Sequence, residues 1–366
     1  MAAKQRDAAH WMGHALRLAK SGTGATYPNP CVGAVLVKKG VVVGRGRSDV
    51  TGGPHAEVRA LRQAGAAARG AAMYVTLEPC SHRGRTPPCV DAIIEAGVRR
   101  VCIGVEDPAP HVGGKGIRKL RRAGLEVEVG VCGDQARSIH AHYLHHVATG
   151  RPFVTLKVAS SIDGRLATAS GDSKWITGAA ARKSAHRLRA LHHGIAVGSE
   201  TVLRDNPGLD VRHVDGVDPI PVIFDSRLRV TAAKRAELKL MRAGVLVLYT
   251  ARASKTAQAR LARTPVEGVE VPGDAEGRVD IEAALELLGA RELRSLMVEG
   301  GGKLLGSFVA ADAFEELWVY RAPVILGEGR PILAGLAFDE VARAPRLRQH
   351  STRKLGDDQL TVYARA

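Results

Sequence analysis

The chain has 366 residues, 45 % of them apolar, and carries 53 Lys and Arg against 37 Asp and Glu for a formal net charge of +16. At about 150 residues per domain the length suits two domains, and the apolar content supports buried cores, which excludes global disorder. Aromatics reach only 4 %, few for the stacking platforms of a single-strand nucleic-acid binder.

In chain order, Ala8, Trp11, Met12, Ala15, Leu16 and Ala19 recur at helical spacing, and Gly22 closes that helix. Val32 to Val37 and Val41 to Val43, split by Lys38-Lys39-Gly40, read as a β-hairpin. A helix follows from His55 to Gly65, then a strand from Met73 to Leu77. Pro88 opens a helix that runs to Ala96. Val101 to Val105 is a strand, Ile117 to Ala123 a helix and Leu125 to Val129 a strand. This alternation predicts an α/β fold with a mainly parallel sheet. Asp134 to Ala148 reads as one longer helix. Thr149-Gly150-Arg151-Pro152 sets a boundary, giving domains 1–150 and 151–366.

A second alternation follows. Phe153 to Val158 is a strand, and Ala179 to Leu191 a helix ending at His192-His193-Gly194. Further strands are expected at Ile195 to Val197, Pro221 to Phe224, Val245 to Tyr249, Leu296 to Glu299, Leu317 to Ile325 and Leu360 to Ala364. Ser254 to Ala290 reads as helical and polar.

The basic residues form no run of five or more, so the positive field is diffuse and suits anionic small molecules. Five cysteines, an odd number in a large chain, fit a reduced compartment. The amphipathic N-terminus is not a signal peptide, and no stretch approaches the roughly 18 apolar residues of a membrane span. A soluble cytoplasmic protein is expected.

The sharpest chemical signal is His55-Ala56-Glu57, followed by Pro79-Cys80 and then Cys89. Zinc prefers imidazole and thiolate ligands, and a catalytic site keeps one position open for water. Glu57, two residues past His55 at a helix start, can face such a site without ligating. Hydrolytic deamination needs this set: a metal that lowers the pKa of water toward about 7, and a carboxylate that moves the proton. The usual signature has two residues between its cysteines, whereas eight separate Cys80 from Cys89. The intervening loop is basic and stiffened by Pro87 and Pro88. It also holds His82, a competing imidazole, but His55 has the helix-start context. The plainer reading, two unrelated cysteines and a surface histidine, makes that context a coincidence.

In the second half, Glu299-Gly300-Gly301-Gly302-Lys303-Leu304 follows a strand and opens an apolar helix, a place where phosphate can meet a helix N-terminus. It is not the G-x-G-x-x-G fingerprint, so a standard Rossmann domain is not supported. A tight turn is the plainer alternative. The histidines His140, His142, His145 and His146 lack the H-E-x-x-H arrangement and are expected to be structural.

Several strings resemble the bifunctional deaminase-reductase family of riboflavin biosynthesis. They are Thr26 to Gly33 (TYPNPCVG), Pro54 to Glu57 (PHAE), Val75 to Cys89 (VTLEPCSHRGRTPPC), Leu156 to Thr177 (LKVASSIDGRLATASGDSKWIT), Gly198 to Arg212 (GSETVLRDNPGLDVR) and Val298 to Leu305 (VEGGGKLL). The resemblance spans nearly the whole chain. It implies a cytidine-deaminase-like N-terminal domain and a dihydrofolate-reductase-like C-terminal domain. The implied first reaction is deamination of 2,5-diamino-6-(5-phosphoribosylamino)pyrimidin-4-one. One Zn2+ per chain would sit on His55, Cys80 and Cys89, with Glu57 as proton shuttle and Asn29 and Arg85 on the substrate. Ser48 stands where many relatives have His, which affects one substrate contact; Cys31 reads as a small buried thiol.

The implied second reaction is NADPH-dependent reduction of the ribosyl group of 5-amino-6-(5-phosphoribosylamino)uracil to ribityl. The cofactor would contact Ala159, Trp175, Thr201, Asp205, Ser226 and the stretch Gly301, Gly302, Lys303, Leu304, Leu305, Gly306 and Ser307. Substrate would contact Ser173, Arg189, Leu209, Arg212 and Glu299, with Arg189 and Arg212 as phosphate anchors. Lys157 and Asp205 would lie near the reacting carbon as catalytic groups. Family analogy implies a homo-oligomer, dimer or tetramer, with no nucleic-acid or membrane partner. Two other classes compete: a tRNA-type nucleic-acid deaminase with an accessory domain, and a non-catalytic zinc-stabilised binding protein.

Overall fold

The structure, a computed structural model, describes residues 7–84, 87–232 and 238–365. It divides into two compact units, Met1–Gly150 and Arg151–Ala366.

The first unit runs α1 (Ala8–Gly22), β1 (Gly33–Lys38), β2 (Val41–Arg47), α2 (Ala56–Ala64), β3 (Ala72–Leu77), α3 (Cys89–Glu95), β4 (Arg100–Val105), α4 (Lys115–Arg122), β5 (Glu126–Val129), α5 (Gly133–Ile139) and α6 (Ala141–Thr149). The strand order is β2-β1-β3-β4-β5. β1 is antiparallel to both β2 and β3, because the hairpin turns the chain back; only β3, β4 and β5 run parallel. The sheet is therefore less parallel than the alternation implied.

Successive side chains leave a strand on opposite faces, and here both faces are covered. Ala34, Leu36, Met73, Val75, Val101 and Ile103 pack on α2, α3 and α4 through Ala60, Leu61, Val90, Ile93, Ile117 and Leu120. Val35, Val37, Tyr74 and Cys102 pack on Trp11, Met12, Ala15, Leu16 and Ala136. Gly44 and Gly46, both on one face of β2, let α2 come close: a Cβ on either would overlap the Ala60 or Ala56 carbonyl oxygen. The long helix expected at Asp134 to Ala148 is broken at His140, where φ −94° and ψ 10° leave helical geometry. That side chain is buried and bonds Thr76 Oγ1 at 3.0 Å.

The second unit runs β6 (Phe153–Ser160), β7 (Arg165–Thr168), α7 (Ala179–Ala190), β8 (Gly194–Gly198), α8 (Ser199–Asp205), β9 (Ile220–Phe224), β10 (Leu246–Tyr249), α9 (Lys255–Leu261), β11 (Glu267–Glu270), α10 (Ile281–Ala290), β12 (Ser295–Val298), α11 (Gly302–Ala310), β13 (Glu316–Arg321), β14 (Gly329–Pro331), β15 (Leu347–Leu355) and β16 (Asp358–Arg365). Nine strands form one sheet in the order β11-β10-β9-β8-β12-β6-β13-β16-β15. It is parallel from β11 to β13, and β16 and β15 add an antiparallel edge. One face packs Leu156, Leu296, Val298 and Phe224 against Leu285, Leu288, Leu305 and Phe308. The other packs Ile195, Val197, Ile223 and Val247 against Val202, Ala257 and Leu261.

Three expectations change here. The region read as helical from Ser254 to Ala290 contains β11 between its two helices. The strand read to Ile325 stops at Arg321, two residues before Pro323, which has no N–H for a ladder. β15 was not expected at all, since LRQHSTRKL has no apolar alternation and lies exposed along the sheet edge.

Candidate active sites

Three chain segments converge on the first site. His55 is the extended residue that caps α2, with φ −68° and ψ 163°, and Glu57 lies in the first turn behind it, 3 % exposed. Cys80 follows β3, and Cys89 is the first residue of α3 with Pro88 before it. The His55 Nδ1 lies 3.2 Å from Cys89 Sγ and 3.6 Å from Cys80 Sγ. The Cys89 N–H points at Cys80 Sγ at 3.4 Å. All three ligand atoms fall within 4.8 Å of one another, the one such group of potential metal ligands among the described residues.

The electrostatics suit an ion at that point. The Cys89 thiol donates toward Cys80 and, with His55, brings the Cys80 thiol down to about 4. Its own proton is correspondingly held, so Cys89 is raised. Hydrogen bonding to Cys80 raises His55. Burial, then the Cys80 charge, pushes Glu57 up to about 7. One imidazole and two thiols, near enough to share a proton, form the donor set that zinc prefers, and the residues present fit such an ion.

Glu78 anchors this arrangement and sequence reasoning did not single it out, although it stands in the quoted E-P-C string. Its buried carboxylate accepts from the backbone N–H of Asp107 at 3.2 Å, Gly114 at 3.0 Å and Ile117 at 3.1 Å. The start of α4 and the loop before it thus hang on the residue two positions before Cys80. Asp107 in turn accepts from Tyr143 Oη at 2.9 and 3.0 Å.

Other expected positions are less tightly tied. Asn29 is exposed, and its carbonyl accepts from Thr26 Oγ1 at 3.0 Å. Ser48 is buried and accepts from the Val32 N–H at 3.0 Å, a structural role. Cys31 is 6 % exposed, and burial pushes its thiol up to about 11. His82 sits edge-on to His111 at 4.7 Å, outside the cysteine cluster. Arg85 lies outside the described residues. Within the histidine run, His142 Nδ1 meets Tyr27 Oη at 2.6 Å.

The second unit brings together Lys157 of β6, Glu299 just beyond β12, and Arg189 of α7. β6 and β12 are paired neighbours, which sets the first two side by side. Lys157 Nζ donates to Glu299 Oε1 at 2.8 Å, and Arg189 Nε donates to Oε2 at 2.9 Å. Burial would raise the Glu299 carboxyl, but the two cations win and bring it down to about 2. Lys157 also lies 5.9 Å from the centre of the Tyr320 ring, whose hydroxyl meets Ser184 Oγ at 3.2 Å. Arg189 Nη1 donates to the Asp210 carbonyl at 2.9 Å, so this guanidinium, expected as a free phosphate anchor, is committed within the fold. Arg212 is 57 % exposed and pairs with Asp210 at 3.4 Å.

The remaining expected residues surround this cluster in sequence but not all in contact. Ala159 shares the Lys157 face of β6, two residues on. Asp205 ends α8, exposed, with no ion pair to Lys157. Trp175 is 69 % exposed with Arg182 stacked at 4.8 Å, and Ser173 precedes it in the same loop. Leu209 is buried with φ +55°. Ser226 Oγ accepts from the Val279 N–H at 3.0 Å.

The glycine stretch divides by role. Gly302 and Gly306 are packing glycines: added Cβ atoms would strike the carbonyls of Pro331 and Ala334. Leu305 turns into the core, while Lys303 is exposed and Ser307 Oγ donates to the Lys303 carbonyl at 3.1 Å. Gly301 caps α11, and its Cβ direction meets only Thr201 Oγ1, at 4.0 Å. That leaves an open backbone N-terminus beside Thr201, which fits a phosphate group of a dinucleotide.

Comparison with known proteins separates the two units in the same way. The family model described as the cytidine and deoxycytidylate deaminase zinc-binding region matches residues 5–105, and the RibD C-terminal domain matches residues 152–361. The riboflavin biosynthesis protein RibD of Bacillus amyloliquefaciens is 42 % identical over 352 residues, covering 95 % of this chain and 94 % of its own. The chain belongs to the RibD family. RibD proteins are bifunctional deaminase-reductases of riboflavin biosynthesis, with a zinc-binding deaminase domain followed by a reductase domain. Acinetobacter baumannii RibD superposes with a TM-score of 0.88 at 37 % identity, covering 98 % of this chain and 99 % of its own. A Thermotoga maritima structure superposes at 0.85 with 32 % identity over 98 % and 99 % of the two chains. It is described as a diaminohydroxyphosphoribosylaminopyrimidine deaminase/5-amino-6-(5-phosphoribosylamino)uracil reductase. The cytidine-deaminase-like and dihydrofolate-reductase-like fold expected from the sequence is thereby established.

Proposed function

We propose that residues 1–150 deaminate 2,5-diamino-6-(5-phosphoribosylamino)pyrimidin-4-one and that residues 151–366 reduce the ribosyl group of the deaminated product to ribityl. The observation that carries this reading is the His55, Cys80 and Cys89 cluster with buried Glu57 beside it, in a chain whose second unit holds a separate cationic cluster. When bound, Zn2+ supplies the charge that acidifies water, and NADPH supplies the hydride.

In the first unit, His55 Nδ1 and the two sulfurs would hold the ion. Glu57 takes the proton of the attacking water and passes protons to the ring nitrogen and the departing amine, so that ammonia leaves. Asn29 and Arg85 are the proposed substrate contacts. In the second unit, Lys157 and Arg189 bracket one carboxylate and leave an excess positive charge near Arg212, which suits an anionic substrate. The C1′–O4′ bond would break as C1′ gains a hydride and O4′ a proton, and Lys157, held in place by its hydrogen bond to Glu299, is the group to deliver that proton. Ser173, Leu209, Arg212 and Glu299 would contact substrate. Ala159, Trp175, Thr201, Asp205, Ser226 and residues 301–307 would line the cofactor, with Gly301 nearest to its phosphates.

The same reading makes the protein a cytoplasmic homo-oligomer. Val324, Ile325, Phe338 and Val341 are apolar side chains 36 to 77 % exposed, of the kind a second copy would cover. No helix among the described residues is long and apolar enough to cross a membrane.

The test is Glu57→Gln in the full chain. Ammonia release from the diamino substrate should fall by about 10² or more, while NADPH oxidation with pre-deaminated substrate continues. Loss of both activities in a folded variant contradicts two separate sites.

A further inference from the structure

Residues 206–212 leave α8 without joining any strand, so their backbone groups must find partners other than a ladder. Side chains supply them in succession. Arg189 Nη1 donates to the Asp210 carbonyl at 2.9 Å. The Asp218 carboxylate accepts from the Val211 N–H at 2.7 Å. His186 Nδ1 accepts from the Arg212 N–H at 3.0 Å. His186 and Arg189 stand three residues apart on α7 and so share one face of it.

His186 is 7 % exposed, with its ring edge-on to His213 at 5.1 Å. A backbone amide only donates, so Nδ1 holds the lone pair and the proton of the neutral ring lies on Nε2. Burial, then the charges of Arg189 and Arg212, hold this imidazole down at about 4, against the opposing pull of Glu299. The acceptor is therefore in place across the neutral range. Arg212 itself extends into solvent from a peptide that His186 fixes.

Building on the reductase reading above, we propose that His186 is a positioning residue: it holds the Arg212 peptide so that the exposed guanidinium meets the substrate phosphate, and it thereby sets the preference for phosphorylated over dephosphorylated substrate. Without the acceptor, the amide turns to water and Arg212 samples other directions. The loss is that of one hydrogen bond, about five- to tenfold in apparent affinity.

The experiment uses the full chain, NADPH, and either 5-amino-6-(5-phosphoribosylamino)uracil or its dephosphorylated ribosyl analogue. His186→Leu should raise KM for the phosphorylated substrate about five- to tenfold, with the loss in KM rather than kcat and no change in KM for NADPH or the analogue. His186→Asn, whose Oδ1 can accept the same N–H, should recover most of the affinity. In an Arg212→Ala background, His186→Leu should add nothing further. Equal losses with both substrates, an additive loss over Arg212→Ala, or Asn no better than Leu would overturn the proposal. If His186→Leu does not fold, His186→Asn against His186→Gln carries the same comparison, because Gln sets its oxygen near the Nε2 position, away from that amide. Absence of NADPH oxidation by the unsubstituted chain overturns the reductase reading and this inference with it. Turnover by the unsubstituted chain with no change in the two-substrate ratio overturns this inference alone.

Discussion

Glu78 offers a quantitative test of how the zinc loop is held. Its Oε2 accepts from the amides of Asp107 and Gly114, and its Oε1 from that of Ile117, at 3.0 to 3.2 Å. Glu78→Ala removes the acceptors of all three amides from a site that is 4 % exposed. Each orphaned buried donor costs about 1–3 kcal/mol; some recover water in the space vacated, so about 3–5 kcal/mol is expected overall. Glu78→Gln keeps one oxygen for the two amides at Oε2 but turns an NH2 toward Ile117, so it should lose about 1–3 kcal/mol, from one donor-donor clash. The stability order is Glu, then Gln, then Ala. Chemical denaturation of the full chain, followed by signals from each half, should show the shift in the first transition only. Zinc content and ammonia release should follow the same order, while NADPH oxidation with pre-deaminated substrate stays level. Unchanged denaturation midpoint and zinc content in Glu78→Ala would refute the reasoning.

Two further outcomes follow from the sites. Treatment with a strong chelator should abolish ammonia release and leave NADPH oxidation with pre-deaminated substrate intact, and one equivalent of Zn2+ per chain should restore the loss. Glu299 sits at about 2 in the folded state against an ordinary 4.5, so its stabilising contribution is present above about pH 4.5 and drains away as pH falls toward 2. Thermal melts of the second unit should therefore drop over that window, and Glu299→Gln should flatten the drop. At neutral pH the same variant should lose about 3 kcal/mol, since it leaves Lys157 and Arg189 facing each other.

The cluster of His55, Cys80 and Cys89 was legible because its chemistry is in the residue types: imidazole and thiols near helix starts have few other reasons to coincide. The strands were legible where apolar runs mark a sheet covered on both faces, as at Val35 and Leu36. What escaped had no such mark. Glu78 works by accepting from distant amides, and no pattern in the chain says which carboxylate will. His186 reads as one more polar residue on a helix. Arg189 has the right chemistry for phosphate, yet its donors are engaged by Glu299 and Asp210, a fact of three-dimensional neighbours. The glycine stretch reads as one segment in the sequence, but its parts differ: Gly302 and Gly306 serve the approach of residues 331–334. β15 was missed because a strand at an edge, exposed on both faces, needs no hydrophobic alternation.

The bare face of β2 has a consequence for anyone who sets out to change the deaminase's substrate. Because α2 rests on Gly44 and Gly46 with no side chain between, the helix that presents His55 and Glu57 has no cushion to compress. A mutagenesis library spread across this hairpin would then sort itself by exposure. Val41 and Arg45, which are exposed, would accept many residues, and Gly44 and Gly46 almost none. New specificity would have to come from the loops around His55, Cys80 and Cys89, with the floor beneath them left as it is.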